Sequence, residues 1–281
     1  MNTSFFNSEG NRKITLTIIA IIIGMIFLFP LYWMIITSFK SNKEIMAATL
    51  TFFPKDITLD AWAAQFKDSM FLNSLKNSII IATIAMTISL TIGIPAAYAI
   101  GRFNLPGKNI ILLIFLVTQM MPSSLLLTPL YLTYAKMNIL NSYLAPAMSV
   151  ASGSIPFIIV TLRPYFMNLP KSLDEAARID GCNVFKSFLF IMIPTIKSGV
   201  ITVITISFLH GWNDLVYSMT FNTEADMKPL TANIYKFMDK YGMLWNCIMA
   251  YGLVLVVPVV IAFVFLQKHI VGGMTAGAVK E

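Results

Sequence analysis

Charge is scarce in this sequence. Only 12% of its 281 residues are Asp, Glu, Lys or Arg, while 57% are hydrophobic. A soluble domain would carry about 25% charged residues. The deficit lies in long blocks almost free of charge, the mark of bilayer-spanning helices. Cysteine is scarce too. Cys182 and Cys247 make no disulfide framework; their places in the chain put them on opposite sides of a membrane, so free thiols are expected. The two histidines, His210 and His269, offer no metal-ligand spacing. A Gly-x-x-x-x-Gly-Lys-Ser/Thr phosphate loop is missing, which excludes an ATPase. So is a Gly-x-Ser-x-Gly nucleophile elbow, and no catalytic centre is expected. The net charge of +7 comes from basic residues scattered singly between apolar runs, not from a patch suited to nucleic acid.

Six runs are long enough to cross a hydrocarbon core of about 30 Å. They are Ile14–Ile36, Ile79–Ile100, Ile110–Leu132, Leu144–Leu162, Val200–Thr220 and Cys247–Leu266. The fourth is diluted by Ser149, Ser152, Gly153, Ser154 and Pro156. The first is too long for a signal peptide and lacks a small-x-small cleavage site. An even number of spans puts both ends on one side. Lysines divide almost evenly across the membrane, but Arg12, Arg102, Arg163 and Arg178 all fall on the side of the N-terminus, which favours N-in, C-in. Between spans one and two, Phe52-Phe53-Pro54 and Trp62 suit a membrane surface, as anchors of a helix lying on it. No low-complexity linker or soluble domain interrupts the chain. The expectation is an all-α membrane protein forming one membrane domain over residues 1–281.

One polar element stands apart. Pro170 precedes Ser172-x-x-Glu175, a capping box, and Asp174 with Glu175 suits the positive end of a helix dipole. A short helix is predicted over Leu173–Asp180, ended by a left-handed Gly181. Asn183 can cap a second helix over Val184–Ile193, which Pro194 ends; its apolar residues include Phe185 and Phe188. A capped connector and a docking element for a partner fit this physics equally.

The spacing Glu175-Ala176-Ala177-x-x-Asp180-Gly181, then Phe188, then Pro194, resembles the EAA loop of inner-membrane permeases of binding-protein-dependent ABC importers. Cys182 departs from it, where alanine is usual. Met121-Pro122 to Tyr131 and Gly211-Trp212-Asn213-Asp214 are similar to that family's third and fifth spans. The end of the chain, Gly273 to Lys280, is similar to the shorter of the two membrane subunits of maltose-type carbohydrate permeases. The resemblance covers nearly the whole chain. It implies a type I importer fold in a bacterial cytoplasmic membrane, with the EAA loop in the cytoplasm.

The resemblance also implies partners: a second homologous permease forming a heterodimer, two copies of an ABC ATPase, and an extracytoplasmic sugar-binding protein. No cofactor is expected in this chain; ATP and Mg would be held by the ATPase subunits. Ala176 and Ala177 would enter a cleft of the ATPase, Glu175 would meet a basic group there, and Asp180 and Gly181 would fix the turn. Thr275, Ala276, Gly277 and Lys280 would reach the ATPases as an extended tail. Trp212, Asn213 and Asp214 are the candidates for the substrate path or for a contact with the binding protein, with a helix end or a membrane anchor as the plainer readings. Two other classes fit the sequence less well. An ion-driven secondary transporter wants intramembrane acids or histidines as a proton relay, and only Asp214 qualifies. An intramembrane enzyme wants a reactive constellation, which is missing. A permease for a non-sugar solute stays open.

Overall fold

The structure, a computed structural model, describes residues 4–239 and 242–278. Helix dominates, and two-residue strands β1 (Met238–Asp239) and β2 (Gly242–Met243) form an antiparallel pair. The chain forms two compact units. One comprises the residues up to Asp68 with Ile234–Val256; the other comprises Ser69–Asn233 and the residues from Val257 onward.

The first unit is built on α1 (Ser4–Ser38), whose stretch Arg12–Ser38 is long and apolar enough to span. Its large apolar side chains are exposed between Ile14 and Phe29, as lipid-facing residues would be. Two short helices follow, α2 (Asn42–Ile45) and α3 (Asp60–Lys67). Phe52 meets Trp33 edge-on, and Phe53 meets Tyr32 edge-on. Trp62 lies stacked between Phe39 and Phe66 at centroid distances of 6.0 and 6.3 Å. The Thr51 hydroxyl donates to Glu44 at 2.6 Å and holds that carboxyl below its ordinary pKa. The predicted anchors are therefore ordered against α1 and each other.

The second unit contains α4 (Ser69–Arg102), α5 (Lys108–Met120), α6 (Leu127–Lys136) and α7 (Leu144–Met167). It continues through α8 (Ser172–Ile179), α9 (Val184–Ser187), α10 (Ile193–Thr195), α11 (Lys197–Trp212), α12 (Val216–Phe221) and α13 (Leu230–Asn233). A last helix, α14 (Trp245–Ala278), begins in the first unit. The core joins α4, α7, α11 and the segment after α9, through Tyr98, Ile158, Leu162, Phe166, Phe188, Met192 and Val203. Several polar residues near the start of α4 are used to hold other segments. Asn77 donates to the carbonyls of Asp226 and Lys228, Ser78 Oγ accepts from Leu230 N at 2.8 Å, and Ser74 Oγ accepts from Asn233 at 2.7 Å. That end of α4 thus holds the loop before α13.

Among the described residues four helices are long and apolar enough to cross a membrane, and the number rises to as many as six if each of two bent helix pairs is one span. Two predicted spans need correction. The third is not continuous over residues 110–132: α5 stops at Met120, α6 starts at Leu127, and the pair bends by 95°. Pro122 explains the break, because the residue before a proline is driven from helical to extended backbone; Met121 has φ −78° and ψ 127°. The fifth is not continuous over residues 200–220 either. α11 ends at Trp212 and α12 restarts at Val216. The tail also differs. Gly272, Gly273 and Gly277 lie within the bounds of α14, so the backbone is helical rather than extended. Glycine costs about 1 kcal/mol in a helix, which slows but does not stop one already propagating from a long span. Of the predicted tail contacts, Thr275, Ala276 and Gly277 lie on α14, and Lys280 lies outside the described residues.

Gly211 sets the approach of α11 to α4. A Cβ there would lie 2.6 Å from the Cα of Ala82, and backbone cannot swing away as a side-chain tip can. Gly211→Ala is expected to destabilise the protein by about 1–3 kcal/mol through overpacking. Gly24→Ala, where nothing lies within 4 Å of the new methyl, serves as the control. Thermal unfolding of both purified variants in detergent checks this, with a lowered Tm expected for Gly211→Ala alone.

Candidate functional site

The polar element between α7 and α11 folds as two short helices with a glycine turn. α8 covers Ser172–Ile179 and its first turn carries Asp174 and Glu175, at the end where the dipole favours acids. The predicted capping box does not form. Lys171 is the N-cap residue, Ser172 is already helical, and no side chain caps that end. The backbone of Asp174 and Glu175 turns early onto the Lys171 carbonyl, which leaves the Ser172 hydroxyl outside the cap position.

The other end is as predicted. Gly181 has φ +75°, the left-handed region open to glycine. Cys182 N donates to Ala177 O at 2.9 Å and Gly181 N to Arg178 O at 3.1 Å, the paired bonds of a Schellman turn. Asp180 closes the helix just before it. Asn183 then caps α9 by accepting from Lys186 N at 2.8 Å. The second helix continues through a π turn at Phe188–Met192 and passes Pro194, ending at Thr195. Pro194 is therefore inside the helix rather than its stop. It has no N–H for the preceding turn, and the chain turns by 87° into α11 just beyond it.

Two faces of α8 differ sharply. Leu173 and Ala177, four residues apart, lie inward; Ala177 is only 1% exposed. Ser172, Glu175, Ala176 and Ile179 recur at helical spacing on the outer face, and all four are exposed. The two alanines therefore have different jobs, and only Ala176 is available to a partner. Ile179, missed in the sequence, is 86% exposed; Val184 and Phe185 of α9 are also exposed. Its position off the Leu173–Ala177 stripe was readable from helical periodicity alone. Phe188 is the opposite case. It is buried against Tyr98, with ring centroids 4.9 Å apart, and anchors the element in the core.

Arg102, at the end of α4, holds this element in place. Its guanidinium donates to the carbonyls of Phe166, Leu169 and Pro170 and pairs with Asp174. The Arg102 side chain is 7% exposed and that of Asp174 32%. One planar cation thus ties the end of α4, the end of α7 and the first turn of α8. In the sequence Arg102 bears only on the orientation of the chain. Beside the clamp lies a cavity of about 610 Å³, lined in part by Tyr98, Arg178, Asn183 and Ser187.

The other predicted site residues are scattered into different roles. Trp212 is buried, stacked near Phe208 at 6.2 Å, so it is neither a membrane anchor nor open to a solute. Asn213 is the exposed residue at the end of α11. Asp214 is a cap: it accepts from Tyr217 N at 3.2 Å, Ser218 N at 2.8 Å and Ser218 Oγ at 2.7 Å, and so starts α12. Among the described residues no His, Cys, Asp and Glu cluster could hold a metal ion, and Cys182 and Cys247 are free thiols.

Comparison with known proteins places these features in context. Residues 89–275 match the family model described as "Binding-protein-dependent transport system inner membrane component". The diacetylchitobiose uptake system permease protein DasC of Streptomyces coelicolor is 30% identical, over 94% of this chain and 95% of its own. The trehalose/maltose transport system permease protein MalG of Thermococcus litoralis is 31% identical, over 97% and 98%. In the crystal structure of a bacterial ABC transporter that imports the acidic polysaccharide alginate, one chain superposes with a TM-score of 0.80 at 21% identity, covering 93% of this chain and 97% of that one.

Arg102→Met removes the donor from three carbonyls and unpairs Asp174. Each such charged hydrogen bond contributes about 1.5–3 kcal/mol. Backbone amides of α8 should exchange with solvent at least about tenfold faster than in the wild type, while those of α4 and α7 change little. Hydrogen exchange read by mass spectrometry checks this; unchanged protection of α8 would mean that the clamp does not hold it.

Proposed function

We infer that this chain, which belongs to the family of binding-protein-dependent transport system inner membrane components, is one permease of an ABC importer that carries a di- or oligosaccharide. It is a multi-pass protein of the cytoplasmic membrane. Its relatives named above are sugar permeases over nearly their full lengths. The observation that carries the reading is the outer face of α8: an exposed Glu175, Ala176 and Ile179 on a helix anchored from behind by Arg102 and Phe188. A helix so presented transmits a push to α4 and α7 rather than absorbing it.

The partners follow from this reading. Two ATPase subunits, holding ATP and Mg, close and drive α8; a second permease completes the pathway; a sugar-binding protein delivers the solute on the other side. The topology is N-in, C-in, with α8 in the cytoplasm and the end of α14 close to the ATPases. Within α8, Glu175 meets a basic group of the ATPase and Ala176 with Ile179 fills its cleft. An ion-driven transporter is the weaker reading, because Asp214, the acid it would need in a span, spends its carboxylate on capping α12.

Vesicles with and without the ATPases, supplied with binding protein and labelled trehalose, maltose or diacetylchitobiose, test the reading. Uptake should need the ATPases and ATP; uptake without them overturns it. Glu175→Ala should lower ATPase-driven uptake about tenfold, or about 1.4 kcal/mol of coupling, with sugar binding to the outer protein unchanged.

A further inference from the structure

We propose that this subunit touches the sugar itself, through a polar strip formed by Gln119 of α5, Ser152 and Gly153 of α7, and His210 of α11. The inference rests on the sugar-permease reading above.

The four residues are linked within one unit. Gln119 Nε2 donates to Gly153 O at 2.7 Å. The next residue, Ser154, shares a hydrogen bond of 3.0 Å between its Oγ and His210 Nδ1. Phe157 stands edge-on to the imidazole at 5.7 Å and fixes its plane. Gly153 lies nine residues into α7, about 14 Å along it and so near the middle of a hydrocarbon core about 30 Å thick.

At that depth such groups belong in protein or in contact with water, not lipid. Yet Gln119, Ser152, Gly153 and His210 are all exposed. The Gln119 carbonyl, its second N–H and His210 Nε2 have no partner among the described residues. Space is open as well: a Cβ on Gly153 would find nothing within 4 Å. The strip begins where Pro122 breaks the third span, beside exposed Met120 and Met121. Large apolar residues such as Leu113 and Ile114 are exposed on the preceding turns of α5, as lipid requires. An amide, an imidazole and a hydroxyl beside a gap offer both donors and acceptors. That is the chemistry that recognises a hydroxyl-rich solute, and it would not suit an apolar one.

Two measurements on the complete transporter test this. First, single cysteines replace Gln119, Ser152, His210 and Leu113 in a Cys182→Ala, Cys247→Ala background, and a membrane-impermeant thiol reagent is supplied on both faces. Gln119→Cys, Ser152→Cys and His210→Cys should be labelled and Leu113→Cys should not. Failure of the first three to label overturns the proposal, whatever the uptake result, because the strip then faces lipid or the second permease. Second, the sugar that the wild type takes up is compared with its monodeoxy analogues. Gln119→Ala and His210→Ala should weaken uptake of the parent sugar about tenfold and abolish discrimination against at least one analogue, and His210→Asn should restore part of it. An equal loss for parent and analogues, or none, overturns sugar contact while leaving the permease reading intact. Wild-type uptake of no sugar overturns both.

Discussion

The guanidinium of Arg102 is the contact on which the polar element depends. An isolated eight-residue helix is marginal in water, since nucleation costs more than so few hydrogen bonds return. α8 has no side-chain cap at its start and buries little beyond Leu173 and Ala177. Arg102 supplies what is missing. It donates to three carbonyls between the end of α7 and the start of α8 and places a cation against Asp174, in the turn where the helix dipole already favours an acid. The opposite end is fixed by Gly181, Asn183 and then Phe188. The element is held at both ends while a cavity lies beside its middle. Force on its outer face therefore reaches α4 and α7 through two defined points.

The membrane helices follow the same economy. Breaks occur at Pro122, just past Pro194 and between Trp212 and Val216; in a membrane such breaks are tolerated only where protein or water satisfies the backbone. Close approach occurs where a side chain is absent, as at Gly211. Polar residues on α4 are consumed in holding the loop before α13. The polar residues that remain exposed are thereby distinguished from those with a structural duty.

Much of this was legible in the sequence, for reasons that can be named. Hydrophobic runs longer than a bilayer declare themselves, and Gly181 and Asn183 were readable because a left-handed turn and an N-cap each admit few residue types. The spacing from Glu175 to Pro194 carried the family. What could not be read depended on distant partners. The capping box at Ser172 gave way because the backbone turned one residue earlier. Arg102 and Asp174 lie 72 residues apart, and no local rule joins them. The duties of Ala176 and Ala177 diverge by a single step of helical rotation, so the identity of the residues says nothing until the buried stripe is known. For Asp214 the plainer reading, a hydrogen-bonded helix end, agrees with the structure: α11 stops at Trp212 and its carboxylate is one turn from the backbone N–H groups of Tyr217 and Ser218.

Gln119 and His210 present the converse case. Each would pass in sequence for an isolated polar residue in an apolar run, tolerated at some cost. Their meaning comes from where α5, α7 and α11 bring them: on either side of the Gly153–Ser154 step, at mid-depth, with unused hydrogen-bonding capacity on the open side. A structural role would use that capacity internally, as Ser74, Asn77 and Ser78 do. α7 joins the two regions. Its middle carries the polar strip, and its last turn is gripped by Arg102. A displacement of α8 would act on that same helix, so the proposed coupling element and the groups that would meet the solute are connected by one helix about 36 Å long.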